Sequence, residues 1–114
     1  MTFKPPRPGH LVHYAAIQHF VPDGQDASGQ PTGTWQTVSH QYMRRDGLSG
    51  RNVEIARQLY AAATHNLYLR YDSNCNRSAR IVIGDATYAV GWVDVEGNEW
   101  MRATVEESWP GVQP

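Results

Sequence analysis

Residues 80–95 read RIVIGDATYAVGWVDV, two runs rich in β-branched and aromatic side chains on either side of a Gly84-Asp85 turn. Such side chains favour strands, and a short turn containing glycine and aspartate joins neighbouring antiparallel strands. The stretch therefore predicts a β-hairpin formed by residues 80–83 and 87–95. The antiparallel strand is the basic unit of this fold.

The segments around the hairpin also have strand character. Leu67, Leu69 and Tyr71 recur with a period of two and so share one face of a strand. A turn around Gly97 separates the second hairpin strand from the last predicted strand. The six predicted strands are residues 11–20, 34–43, 65–71, 80–83, 87–95 and 99–107.

One segment, residues 52–63, has the periodicity of a helix. Ser49 or Asn52 is expected to cap it, because a short side-chain oxygen accepts hydrogen bonds from the first-turn amides. The sequence thus predicts a mainly β fold, a small antiparallel β-barrel or sandwich of about six strands with one short α-helix between the second and third strands. The apolar positions of the helix are Val53, Ala56, Leu59, Tyr60 and Ala63.

The length of 114 residues suits a single domain. Residues 1–10 are proline-rich and are expected to form an extended arm. Residues 11–107 form the domain, within which the polar segment 22–33 predicts a mobile loop and residues 43–50 predict a second loop before the helix. Residues 108–114 are expected to form a flexible tail.

Composition favours contact with other proteins. The chain has one lysine against nine arginines, twelve aromatic residues and a net charge of −1. Arginine and aromatic residues are enriched in protein interfaces and lysine is depleted there. A nearly neutral chain argues against general nucleic-acid binding. No apolar run is long enough to predict a membrane segment, and the single Cys75 rules out an internal disulfide.

No enzyme motif is present, and we predict no catalytic residues, no metal and no cofactor. The five histidines do not follow a ligand spacing that would suit their predicted strands, and surface histidines are the favoured interpretation. Glu106 and Glu107 are adjacent, so on a strand they point to opposite faces and cannot act as an acid/base pair. Cys75 is expected to be a solvated or half-buried loop thiol without a catalytic role.

Two features of the sequence suggest contact with a partner. Residues 43–50 contain the adjacent Arg44 and Arg45, which precede a flexible Gly-Leu-Ser-Gly run. Spacing alone favours a plain strand-to-helix connection over a contact site. The second feature is an excess of aromatic residues on short strands, some of which are expected to rest on a neighbouring subunit. These are Trp35, Tyr68, Tyr88, Trp92 and Trp100.

In the order of its short motifs, the chain resembles the head–tail joining family of tailed bacteriophages, also called head closure or stopper proteins. The resemblance covers about residues 11–107. The motifs that carry it are Ile17-Gln18, Thr34-Trp35, Leu48-Ser49-Gly50, Thr64-His65, Leu69-Arg70-Tyr71, Gly84 and Tyr88-Ala89-Val90.

The resemblance implies a structural virion protein that forms a homo-oligomeric ring beneath the portal and its adaptor. Such proteins help to retain packaged DNA and provide a docking platform for a tail completion or tail terminator protein. The resemblance also implies that the protein lies at the neck of the virion, that it assembles in the host cytoplasm and that it does not contact a membrane. The loop facing the DNA channel is expected to comprise Arg44, Arg45, Asp46, Gly47, Leu48, Ser49 and Gly50.

The arm and the tail are natural candidates to reach a neighbouring subunit, because an extended segment can add to an exposed strand edge. The residues expected to make these subunit or partner contacts are Phe3, Lys4, Pro5, Arg7, Trp109 and Pro110.

Two other functions stay open. A small β-barrel that binds nucleic acid would use Trp35, Tyr68 or Trp92 as stacking platforms. A metal-dependent enzyme of the cupin type would need three or four converging histidines.

Overall fold

The computed structural model describes residues 3–108, apart from the side chain of Pro8. A short 3-10 helix, Pro8–His10, precedes the first strand. The other elements are β1 (His13–Gln25), β2 (Pro31–Gly47), α1 (Arg51–Leu59), β3 (His65–Arg70), β4 (Ala79–Ile83), β5 (Ala86–Glu96) and β6 (Trp100–Ser108).

The six strands close into an antiparallel barrel in the order β1-β2-β3-β6-β5-β4, with β4 paired to β1. The hairpin that opened the sequence analysis is present as β4 and β5, with Ile81 opposite Tyr88. The prediction of a mainly β fold with one helix between the second and third strands is confirmed.

The core fills the barrel with the inward-facing side chain of every second residue. In β4, for example, Ala79, Ile81 and Ile83 are buried while Arg80 and Val82 are partly exposed. Strand alternation produces this pattern because successive side chains point to opposite faces. The central buried side chains are Ala15, Ile17, Met43, Leu67, Leu69, Ile81, Tyr88, Val90, Met101, Ala103 and Val105.

The helix is shorter than the prediction of residues 52–63, because Tyr60 adopts an extended backbone with φ −150° and ψ 108°. The Tyr60 hydroxyl donates to Glu106 Oε1 at 3.0 Å, and its ring lies where a Cβ on Gly91 would be. These contacts tie the end of α1 to β5 and β6. The N-cap residue is Gly50, without a side-chain cap, so the prediction of Ser49 or Asn52 as the cap was wrong.

The prediction of a mobile loop at residues 22–33 was wrong at both ends. β1 continues to Gln25 and β2 begins at Pro31, so only residues 26–30 connect the strands. The register pairs Val21 with Thr34 and Gln25 with Pro31. The polar composition correctly predicted that this segment is exposed, but it did not predict the conformation. Two strands that are exposed on both faces can still pair, because their backbone N–H and C=O groups hydrogen-bond to each other.

The predicted loop at residues 43–50 is also mostly strand. Met43 is fully buried, and residues 44–47 pair with residues 65–68 of β3. Only residues 48–50 connect β2 to α1. The two glycines and three charged residues suggested a loop, whereas pairing with β3 and the burial of Met43 hold this segment in the sheet.

The N-terminal arm is not fully extended, because it turns through the 3-10 helix at residues 8–10 and packs on the barrel. The predicted tail residues Trp109 and Pro110 lie outside the described residues. Within residues 3–108, no helix is both long enough and apolar enough to cross a membrane.

Candidate functional site

The paired arginines point away from each other, because neighbouring strand residues lie on opposite faces of the sheet. On the outer face, Arg44 Nε donates to Asp46 Oδ1 at 3.0 Å, and the guanidinium lies 5.6 Å from the centre of the Tyr68 ring. Arg45 points into the end of the barrel, where Nη1 donates to the Tyr88 hydroxyl at 3.0 Å. The two charges are therefore separated by the sheet, and their role at a channel stays a prediction.

The link between β2 and α1 exposes only two residues. The Leu48 amide donates to the Thr64 carbonyl at 3.1 Å, which anchors this residue beside the sheet. Ser49 and Gly50 are exposed. Gly50 has φ +56°, a conformation that glycine adopts without the steric penalty of a side chain.

A groove of about 350 Å³ lies between α1 and the outer face of the sheet. Ile55 and Leu59 of the helix form its apolar wall, and Arg44 and Arg102 line its sheet side. Ile55 is 44% exposed, which is unusual for an isoleucine facing the sheet. An apolar wall beside cationic groups suits a protein segment that carries both apolar and acidic side chains.

The N-terminal arm extends this groove. The Phe3 ring lies 5.8 Å from that of Tyr68, and the Arg102 guanidinium lies 5.2 Å from the Phe3 ring centre. The arm borders a second cavity of about 510 Å³ that shares Arg44, Tyr68 and Arg102 with the first. Phe3 thus contacts its own barrel in this structure. The remaining predicted contact residues of the arm, Lys4, Pro5 and Arg7, are exposed.

A buried ion pair lies under the arm. The Arg102 guanidinium donates to Asp94 Oδ2 at 2.5 and 3.2 Å, and the Trp92 indole N–H donates to Asp94 Oδ1 at 3.1 Å. The side chains of Arg102 and Asp94 are 11% and 10% exposed. Removing one partner of such a pair leaves an uncompensated buried charge. The network therefore fixes the surface on which Phe3 rests.

The aromatic side chains considered as stacking platforms are each in contact with an arginine of the same chain. The guanidinium of Arg80 lies 4.5 Å from the Trp35 ring centre, and that of Arg77 lies 5.7 Å from the Trp92 ring centre. Tyr68 is in contact with both Arg44 and Phe3. A base would have to displace these groups before it could stack.

His65 lies near the barrel end, with its ring 5.2 Å from that of Tyr88. Burial lowers the pKa of His65, and Arg45 lowers it further, although Glu107 acts in the opposite direction. The neutral imidazole is thereby favoured.

On the outer face, burial and the hydrogen bond to Glu106 raise the pKa of Tyr60. The hydroxyl of Tyr60 therefore remains a donor that holds the helix to β6.

Asp72 joins β2 to the turn after β3. Its Oδ2 accepts from Ser39 Oγ at 2.8 Å and Gln41 Nε2 at 2.9 Å, and its Oδ1 accepts from the Asn74 amide at 2.9 Å. Burial alone would raise the pKa of Asp72, but these hydrogen bonds outweigh it and the pKa is lowered. The ionised carboxylate is therefore a structural group of the folded state.

Cys75 differs from the expectation of a solvated or half-buried thiol, since it is buried in the core. Burial, with a smaller effect from Asp72, raises the pKa of the thiol to about 12. The thiol is therefore protonated near neutral pH, and its reactivity is suppressed.

β1 and β2 form a projecting ribbon that the sequence pattern did not indicate. The pairing of β1 with β4 ends at His19 and Ala79, while β1 and β2 continue to pair with each other as far as Gln25 and Pro31. We call residues 20–36 the ribbon. Its sequence signal was the tight turn chemistry of Asp26, Ser28 and Gly29 at the centre of the polar segment, which is typical of a hairpin end.

Within residues 3–108, no three histidine, cysteine, aspartate or glutamate side chains converge as metal ligands would. Of the two adjacent carboxylates, that of Glu106 accepts the hydrogen bond from the Tyr60 hydroxyl, whereas Glu107 is exposed.

Two solved structures share this fold. The solution structure of protein SF1141 from Shigella flexneri 2a has a TM-score of 0.70 and 15% sequence identity, and covers 92% of this chain and 99% of that chain. A chain of the virion of a native gene transfer agent particle has a TM-score of 0.53 and 12% identity, and covers 83% of this chain and 93% of that one. At these identities the likeness establishes the fold alone. No curated protein matches significantly.

The family comparison covers nearly the whole barrel. The profile described as phage head completion protein matches residues 6–108, from the arm to the end of β6. The resemblance to phage head–tail joining proteins is thereby confirmed at the level of the family. The chain belongs to the phage head completion protein family and is a structural component of the phage virion.

Proposed function

We propose that the protein is a head-closure subunit that forms a ring beneath the portal or adaptor. This ring helps to retain packaged DNA and presents a docking platform to a tail completion or tail terminator protein. Family membership supports a role in the completed head. The ring, DNA retention and tail docking are the parts that this proposal adds.

The observation that carries the proposal is the concentration of exposed apolar side chains on β1 and β2. Five of the nine large hydrophobic side chains exposed within residues 3–108 belong to these two strands. Tyr14 and Tyr42 are each 56% exposed, and the Tyr14 ring stacks on His40 at 5.1 Å. Exposed apolar side chains that concentrate on one pair of strands mark a surface for an interaction partner. The five are Tyr14, Phe20, Val21, Val38 and Tyr42.

The segment 44–50 would supply the contact with DNA. Arg44 is partly exposed despite its ion pair with Asp46, and Ser49 and Gly50 form the open link before α1. In a ring, every subunit repeats the same arginine at the same radius. The copies then sum to a band of positive potential, which a near-neutral single subunit lacks.

Electron microscopy of the purified protein, and of virions that contain it, tests the ring directly. We expect closed rings in solution or a ring-shaped density at the head–tail junction of the virion. A monomer in solution, combined with no such density at the junction, would overturn the proposal.

The role of the arginine in DNA retention is tested by Arg44→Gln, which removes the charge from the outer face and leaves Arg45, on the opposite face of the sheet, in place. We expect filled heads with this variant to lose DNA more readily than wild-type heads, as measured by nuclease-sensitive DNA. Arg77→Gln, in the turn between β3 and β4, is the matched control. Equal retention in the two variants would show that Arg44 does not face the DNA.

A further inference from the structure

From the shape and charge of the ribbon, we infer that it docks into the groove beside α1 of a second copy of this chain. The inference rests on the proposed ring and names the contact that would build it. It assigns a donor surface, residues 20–36, and an acceptor surface formed by the arm, α1 and the outer face of β2, β3 and β6. We call the acceptor the helix–arm groove.

The ribbon is long enough to enter a neighbouring molecule. Beyond His19, six residues of β1 pair only with β2, which at about 3.3 Å per residue projects roughly 20 Å from the closed barrel. Every residue from 20 to 34 is exposed except Gly33, which is half-buried. Phe20 and Val21 are 37% and 41% exposed and provide apolar surface at the base of the ribbon.

The ribbon is also preorganised. Asp26 Oδ1 accepts hydrogen bonds from the Ser28 amide at 2.9 Å, the Ser28 hydroxyl at 2.8 Å and the Gln30 amide at 3.0 Å. Further along, the Thr32 hydroxyl donates to Asp23 Oδ1 at 2.7 Å. The Phe20 and Trp35 rings meet edge to face at 5.5 Å. A segment that is already ordered loses little conformational entropy when it binds.

The ribbon and the groove carry opposite charge. Residues 20–36 contain Asp23 and Asp26 but no lysine, arginine or histidine. The two joined cavities of the groove are lined by the cationic side chains of Lys4, Arg7, Arg44 and Arg102 and by one carboxylate, Asp46. Complementary charge of this kind orients a docking segment and excludes like-charged competitors. The same negative charge makes the ribbon unsuited to DNA phosphates.

Of the cationic residues of the groove, Lys4 and Arg7 are exposed, and neither forms an ion pair within residues 3–108. Ile55 and Leu59 provide an apolar wall in the adjoining cavity. The acceptor thus complements both features of the ribbon. Its exposed cations match the aspartates of the ribbon, and its apolar wall matches Phe20 and Val21.

The two surfaces lie at opposite ends of the same strands. β2 begins in the ribbon at Pro31 and ends beside the groove at Gly47, in a molecule 47 Å long. A subunit therefore cannot fill its own groove. Contact between different surfaces of two copies is heterologous, and repetition of such a contact closes a ring when the rotation per subunit allows it.

Site-specific cross-linking in assembled particles tests the contact. Ala27→Cys at the ribbon tip and Asn52→Cys in the groove are combined in one chain, and particles are treated with a short bismaleimide. Both positions are exposed, and the native Cys75 is buried and does not react. We expect a ladder of cross-linked copies. The control pair Ala27→Cys with Asp85→Cys, outside the groove, is expected to give none.

A charge exchange provides the second measurement. Asp23→Lys with Gln25→Lys is expected to abolish rings, and Lys4→Glu with Arg7→Glu added to the same chain is expected to restore them. Glu99→Lys, in an exposed turn, is the control for a general effect of charge. Circular dichroism of each variant establishes that it is folded.

The outcomes separate the inference from the proposed function. The inference would be overturned if rings form without the cross-link and also form in the Asp23→Lys and Gln25→Lys variant. That result would leave the proposed role in head closure intact. Cross-linking of the tip to a different virion protein would overturn it as well, because the occupant would not be a second copy. Particles without any ring would instead refute the proposed function.

Discussion

The ribbon and the closed part of the barrel consist of the same two strands but have opposite character. From Ala16 to His19, β1 is paired on both sides, and Ala15 and Ile17 are fully buried. Beyond His19, β1 pairs only with β2 and its side chains are exposed. The change takes place near a register shift between Ile17 and Gln18, where a bulge increases the local twist.

Strand length explains the difference. β1 and β2 have 13 and 17 residues, whereas the neighbouring strands β4 and β3 have 5 and 6. A barrel can close only where every strand is present, so the surplus of the two long strands must project. The closed part holds the apolar core and hence most of the stability, and the projecting part is available for contact with other molecules.

The largest expected effect comes from removing core volume in the closed part. Leu67→Ala deletes a fully buried side chain, and we expect the free energy of unfolding to fall by about 2–5 kcal/mol. Val21→Ala in the ribbon is the comparison and is expected to change it by no more than about 0.5 kcal/mol. Urea unfolding monitored by tryptophan fluorescence measures both. Similar losses in the two variants would mean that the ribbon shares the core of the barrel.

An intermediate and local effect is expected from Gly33→Ala. A Cβ at this position would overlap the carbonyl oxygen of Val21 and approach the Phe20 ring to 2.9 Å. The strands of the ribbon must separate to relieve this overlap, so we expect faster amide hydrogen exchange in residues 20–36. Exchange in β3 and β6 should remain unchanged.

Gly9→Ala is the matched control for Gly33→Ala, because nothing lies within 4 Å of a Cβ at Gly9. Faster exchange throughout the barrel in Gly33→Ala would contradict the separation of ribbon and barrel.

The smallest expected effect is the contribution of Asp72 to the pH dependence of stability. This residue anchors β2 near the base of the ribbon. The folded state lowers the pKa of Asp72 below its ordinary value of 3.8, so folding favours the ionised form. The stability that this group contributes is present above pH 3.8 and is lost as the pH falls through the lower folded value. Since the carboxylate is partly exposed, we expect a contribution below about 1 kcal/mol.

Unfolding curves at pH 6 and pH 3 for wild type and Asp72→Asn test this expectation. The variant should lose less stability than wild type on acidification. Asp85→Asn, an exposed turn residue, serves as the control and should behave as wild type does. An unchanged acid response in Asp72→Asn would show that the hydrogen bonds from Ser39 and Gln41 do not stabilise the charge.

Local periodicity was sufficient to predict the fold class. The alternation in residues 80–83 and 65–71 and the three- and four-residue spacing around Ala56 and Leu59 located β4, β3 and α1, because these patterns reflect which face is buried. The sequence did not reveal the ribbon in the same way. A strand exposed on both faces has no alternation of apolar and polar residues, and the polar residues 22–33 therefore predicted a loop.

The candidate site was less accessible from the sequence than the fold. Arg44 and Arg45 are adjacent in the chain, and only their place in β2 separates them across the sheet. The position of Cys75 after turn residues predicts a thiol that is at least partly solvated, yet the side chain packs in the core cluster. The ion pair of Asp94 and Arg102 joins two strands, and residue identity alone does not indicate such pairing.

Local side-chain patterns alone indicate the class of the protein: a mainly β domain with one helix, rich in interface residues, whose motifs follow the order found in phage head–tail joining proteins. A linear chain displays such patterns directly. Which surfaces remain exposed depends instead on how the strands pair. Barrel closure leaves the ends of β1 and β2 without neighbours and brings the arm, α1 and β6 together, and both results depend on pairing between residues that are distant in the chain.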